Sequence, residues 1–171
     1  HLPVEKSDFP NPDSFIRVST EGHPRGGLLG HSSIHTVTAN GVDTSPIIRG
    51  VWLLENILGT PPSPATPALD PIVPDTRGTT TIRDQMERHR SDPTCAECHR
   101  KIDPLGFALE NFDAIGRFRT TYGPRKNIDA SGTLPGGQEF KDLGEFIWHF
   151  RTEHPKFIRA LTNKLMEYAL G

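Results

Sequence analysis

Cysteine is almost absent from this chain: two residues among 171, at positions 95 and 98. Any chemistry that needs thiols must therefore happen in one place. Charge of neither sign is in excess, since 19 lysines and arginines face 21 aspartates and glutamates for a formal net charge of −2. That balance argues against a surface built for nucleic acid or for an anionic membrane. Long apolar runs are missing too, and none approaches the roughly 20 residues needed to span a bilayer. The chain opens His1-Leu2-Pro3 without a methionine and is expected to be a processed or excised piece, any export signal lost with the missing N-terminus.

Apolar residues amount to only 34 %, whereas glycine and proline supply 16 residues each. So lean a core suits a loop-rich fold organised around a cofactor. Residues 1–30, broken by Pro3, Pro10, Pro12 and Pro24, read as irregular. Ile34, Thr36, Val37 and Thr38, followed by the turn pair Asn40-Gly41, predict a short strand or hairpin. Ser45 and Pro46 are a cap and a first helical residue for a helix with a wide apolar face, which Gly59 stops. Six prolines between Thr60 and Gly78 mark a stiff, extended connector. A helix resumes near Thr80 and ends near Arg90, with Ile82, Met86 and His89 on one face. Residues 100–141 read as loop-rich. Asp142 caps a short helix, and a last helix opens near Pro155 with Ile158, Leu161, Leu165 and Tyr168 on one side.

What is present at the two cysteines is specific. Residues 95–99 read Cys-Ala-Glu-Cys-His, the CxxCH pattern of c-type haem attachment. Two thiols at this spacing can add to the two vinyl groups on one haem edge, and the next histidine is then held under the iron. Three other readings stand beside it. A structural zinc site needs a second compact ligand pair, which the eight histidines do not form. A thioredoxin-like pair needs a βαβ setting, which the flanks lack. A disulfide across three residues adds little stability.

The stretch CAECHRKIDPLGFALENFDAIGRFR at 95–119 resembles the single-CxxCH module of large planctomycete-type multi-domain cytochrome c proteins. The resemblance extends to TSPIIRGVWLLENILGTPP at 44–62, TTTIRDQMERHRSDPTCAECH at 79–99, IDASGTLPGGQEF at 128–140 and KLMEYALG at 164–171. It implies no assigned reaction. Many members carry methionine where this chain has Ile102, so that position supplies no iron ligand here.

In the haem reading, Cys95 and Cys98 form thioethers and His99 is the proximal iron ligand, its second ring nitrogen bonded to a backbone carbonyl in a tight 101–105 loop. His35 is the first candidate for the distal position, sharing a strand face with Val37; His31 and Met166 are alternatives, and His89 is a weaker one. Arg49, Arg117 and Arg119 are candidates for pairing with haem propionates, and Trp52, Phe107, Phe112 and Phe118 for lining a haem pocket, although ordinary solvated or core roles explain each one as well.

The expected fold is mainly α: a cytochrome c-like haem domain at 79–171, a Pro-rich connector at 60–78, and an N-terminal extension at 1–59 that packs on the haem domain. The helix before CxxCH is expected to pack against the last helix. The expected function is an extracytoplasmic, periplasmic electron relay with one covalent haem c, serving a redox partner or adjacent domains of the same polypeptide. A haem enzyme with an open sixth position, or a structural or sensory haem module, are the alternatives.

Overall fold

In the computed structural model, which describes residues 11, 13, 15–63, 81–90, 93–124, 126–152 and 154–171, the architecture is mainly helical. A short 3-10 turn, Leu28–Gly30, leads into α1 (Ser32–Val37), α2 (Pro46–Asn56), α3 (Ile82–His89) and α4 (Pro93–Phe107). A two-stranded antiparallel hairpin follows, β1 (Gly132–Thr133) and β2 (Glu139–Phe140), paired Gly132 to Phe140 and Thr133 to Glu139. The chain closes with α5 (Leu143–Thr152) and α6 (His154–Leu170). The connector expected at 60–78 falls for the most part outside the described residues, as do residues 1–10 of the expected extension.

Local rules start most of these helices. The Ser45 hydroxyl accepts from the Ile48 amide at 3.4 Å and Pro46 is the first residue of α2, while Gly59 just beyond its end takes a left-handed φ of 63°. Thr81 and Asp84 form a reciprocal cap at α3: the Thr81 amide donates to the Asp84 carboxylate at 2.8 Å, and the Asp84 amide donates to the Thr81 hydroxyl at 3.1 Å. Asp142 accepts from the Glu145 amide at 2.9 Å at the start of α5.

Three expectations are corrected. Residues 32–37, expected as a strand, form α1, which buries Ile34 and His35 and in which the threonine hydroxyls find acceptors: Thr36 donates to the Ser32 carbonyl at 2.9 Å and Thr38 to that of Ile34 at 2.7 Å. The Asn40-Gly41 turn does form, with the Asn40 side chain accepting from Val42 and Asp43, and it is closed by the isolated antiparallel Ala39–Thr44 bridge, without longer strands on either side. The loop expected from residue 100 is helix as far as Phe107, even though Pro104 lies inside it. Pro104 sits in the last turn, so its missing N–H costs a single helical bond, the one to the Arg100 carbonyl. Finally, α3 packs on α4, whereas α6 packs on α2 and α5. The apolar side of α6 faces outward at Ile158, Leu161, Leu165 and Tyr168.

The core forms where α2 crosses α4. Leu53 and Leu54 from α2 and Ile57 just after it meet Ile102 and Leu105 from α4, with Ala108, Leu109 and Phe112 beyond it and Phe140, Leu143 and Phe146 completing the cluster. Two glycines permit the crossing. A Cβ on Gly50 would overlap the Ile102 carbonyl, and one on Gly106 would overlap the carbonyl of Pro46, so the two backbones run against each other. A smaller cluster of Ile82, Met86 and Phe107 joins α3 to α4, with the Arg83 guanidinium 4.2 Å above the Phe107 ring. Replacing Gly106 with alanine should lower the urea midpoint by the equivalent of about 1–3 kcal/mol, although alanine is intrinsically the better helix former by about 1 kcal/mol. An unchanged or raised midpoint would show that the helices do not touch there.

Candidate functional site

Within α4, Cys95, Cys98 and His99 stand at i, i+3 and i+4, the spacing that brings side chains onto one face of a helix. Cys95 is buried and Cys98 is exposed; both thiols are free. The His99 side chain is mostly buried, and its Nδ1 lies 2.8 Å from Oδ1 of Asp103, one turn further along. The partner of this ring nitrogen is therefore a carboxylate and not the backbone carbonyl expected from a loop, because the chain stays helical through residue 107 and so brings Asp103 one turn along from His99.

Cys98 opens on a cavity of about 510 Å³. Leu54 of α2, Leu58 just beyond its end, Pro61 and Pro62, Leu134 at the hairpin tip and Phe150 of α5 make its walls apolar. Lys101 and Lys156 add two ammonium groups against the single carboxylate of Glu97. The volume lies within the range of small-molecule and cofactor pockets. The hairpin tip is held by a bond from the Leu134 amide to the Gln138 carbonyl, and Gly137 takes a φ of 87° there.

Few of the other candidate residues reach this cavity. Arg49 is fully buried, and its guanidinium donates to Glu110 Oε1 at 2.9 Å and to the carbonyls of Leu109, Phe112 and Asp113. It binds the chain just after α4 to α2 and does not face the cavity. Glu110 also accepts from Thr44, Arg119 and Tyr122. Burial pushes the Glu110 carboxyl above its usual range, with Arg49 and Arg119 pulling the other way. Arg119 thus belongs to this network, while Arg117 pairs with Asp113 at 2.8 Å on the surface. Phe107 is buried in the α3–α4 cluster, Trp52 packs half-buried on the main core, and Phe112 is a core residue against which the partly exposed Phe118 stands edge-on.

The distal-ligand candidates are scattered as well. His35 is fully buried in α1, its Nε2 2.9 Å from the Leu29 carbonyl and its ring stacked 4.3 Å from that of Phe112. Helical geometry turns Val37, its expected strand-face neighbour, out to solvent. His31 is exposed beside Arg25 and Arg117, and Met166 is 55 % exposed on α6. The side chain of His89 lies outside the described residues. Sequence reading missed Lys101, Leu54 and Leu58. Lys101 follows Cys98 at i+3, so extending the helix past His99 would have found it; the hairpin residues had no local signal.

A family model matches residues 25–122, more than half of the chain. The chain belongs to the PSCyt3 family, described as a protein of unknown function (DUF1588). No curated protein and no solved structure matches. The PSCyt3 match is cytochrome-associated by name, in keeping with the coarse sense of the resemblance drawn from the sequence. It takes in α1 to α4 with the CxxCH segment, and stops before the hairpin, α5 and α6. The cavity wall thus combines α2 and α4 from inside the matched stretch with Leu134, Phe150 and Lys156 from beyond it.

The buried imidazole of His35 has a thermodynamic consequence. Burial, then the nearby Arg49 charge, lower its pKa to about 4. The unfolded chain takes up this proton near pH 6.5 and the folded chain only near 4, so the contribution is whole above pH 6.5 and is lost as pH falls towards 4. Its full size is about 3 kcal/mol at 1.36 kcal/mol per pKa unit. Urea titrations should therefore show a steeper loss of stability over this window for the parent chain than for His35→Gln. Parallel curves would refute the assignment.

Proposed function

We propose that α4 carries one covalently attached haem c and that the module relays electrons for a redox partner or for adjacent domains of the same polypeptide. The observation that carries this reading is the single helical face bearing two free thiols and an imidazole, with Cys98 opening on a cavity of cofactor size. The donor set fits the group, although of its three members only Cys98 lines the cavity. Cys95 and Cys98 would hold it through thioethers and His99 through its ring. The apolar walls suit the porphyrin faces, and Lys101 and Lys156 suit its propionates. Once bound, the haem supplies one-electron redox chemistry at its iron.

The protein's own contribution is to orient and to exclude water. The α2–α4 crossing fixes the helix that bears all three attachment residues, and Leu54, Leu58 and Phe150 keep the cavity apolar. Haem is attached to CxxCH outside the cytoplasm, so this reading carries a periplasmic or other extracytoplasmic setting. Among the described residues no helix is long and apolar enough to cross a membrane.

Chain matured in an export-competent host should weigh one haem more than the polypeptide, retain it in acidified organic solvent and show a c-type reduced spectrum. Cys95→Ala with Cys98→Ala should abolish the covalent increment. A bare-chain mass for the parent protein would refute the proposal.

One observation favours a second reading, a haem enzyme with an open sixth position: the distal candidate His35 is buried against Phe112, and neither His31 nor Met166 lines the cavity at Cys98. Cyanide separates the two. Spectra unmoved by it indicate a six-coordinate relay, and a high-spin spectrum that shifts on its addition indicates a catalytic site.

A further inference from the structure

Among the described residues, the last helix is anchored only near its start. Phe157 packs on the main core and Ala160 is buried beside Gly59, whereas every residue from Leu161 to Leu170 is exposed. So short a helical stretch is marginal in water without tertiary support, since isolated helices need roughly 12–15 residues to persist. One exposed side is also apolar: Ile158, Leu161, Leu165 and Tyr168 are 47, 41, 58 and 91 % exposed. Their spacing of three, four and three residues is that of the a and d positions in a coiled coil, a pattern whose counterpart is another helix. At about 3.6 residues per turn, Lys156, which lines the cavity at Cys98, lies nearly opposite this stripe, so the two surfaces are separate.

We propose that the stripe is a dimerisation surface whose occupant is α6 of a second copy of this chain, running antiparallel. The pattern is complementary to itself. In a pair centred on Asn163, Ile158 of each copy meets Tyr168 of the other and Leu161 meets Leu165. One two-fold operation thus covers all four side chains on both copies. Covering them removes on the order of 1,000 Å² from water, the size at which a specific interface begins. Lys164 flanks the axis, and Glu167 at 3.3 Å offsets its charge, so the copies do not meet there as bare cations. The pairing does not depend on the haem reading above.

Sedimentation equilibrium of the full chain over a range of concentrations should show monomer and dimer in exchange, and the thermal midpoint should rise with concentration. Leu161→Glu and Leu165→Lys each set a charge against leucine in the seam and should weaken the dimer at least about a hundredfold. Both positions are exposed in the monomer, so the variants keep the folded body. Mixed together, the two variants should associate more tightly than either does alone, because the antiparallel register sets the new carboxylate of one against the new ammonium of the other. A parent chain that is monomeric throughout, a dimer that survives both substitutions, or a mixture no tighter than its components would overturn the proposal. A monomer that sediments with phosphatidylglycerol vesicles would overturn it too and assign the stripe to a lipid surface.

Discussion

The contact of α2 and α4 backbone against backbone, at Gly50 with Ile102 and at Gly106 with Pro46, sets every other distance in this molecule. Side chains at these two points would hold the helices apart, and Leu53, Leu54 and Ile57 would no longer reach Ile102 and Leu105. The Arg49–Glu110 pair locks the same crossing by a different force. It is fully buried, and its arginine also takes up carbonyls left by the chain as it leaves α4. Buried pairs of this kind add little net energy over an apolar substitute, yet losing one member leaves a charge stranded. Packing brings the helices together, and the ion pair makes any other register costly.

The candidate site depends on that crossing. It presents the outer face of α4, with Cys98 and Lys101, towards the end of α2, and the hairpin tip, α5 and α6 supply the remaining wall. Polar groups are few and placed at one side, while leucine, proline and phenylalanine make up the rest, which suits a large flat apolar ligand with acidic substituents. Behind this face the His99–Asp103 pair is built within a single helical turn.

Helix starts were legible in the residues themselves because caps act over three or four positions: Ser45 with Pro46, Asp142, and the onset of α3 all lie where short-range rules put them. The strand expected at 32–37 does not form because β preference is weak and depends on packing, and here the burial of Ile34 and His35 on one side of α1 outweighs it. The loop expected past His99 is helix, because Pro104 lies in the last turn of α4, where it removes a single backbone bond. His35, the first of the distal candidates, has its ring packed on Phe112, a partner far along the chain that no periodicity reveals.

Local order was sufficient for the mainly helical character and for the two thiols and imidazole on one face, since spacings of three and four residues convert into geometry without reference to the rest of the chain. Which arginine, aromatic or histidine faces the cavity required the folded molecule. Arg49 is drawn to Glu110, Phe107 to Ile82 and Met86, and the cavity is walled by residues as distant as Leu54, Leu134 and Lys156. Burial and pairing are settled by whatever the crossing helices bring alongside, and contacts over such separations leave no repeat in the sequence.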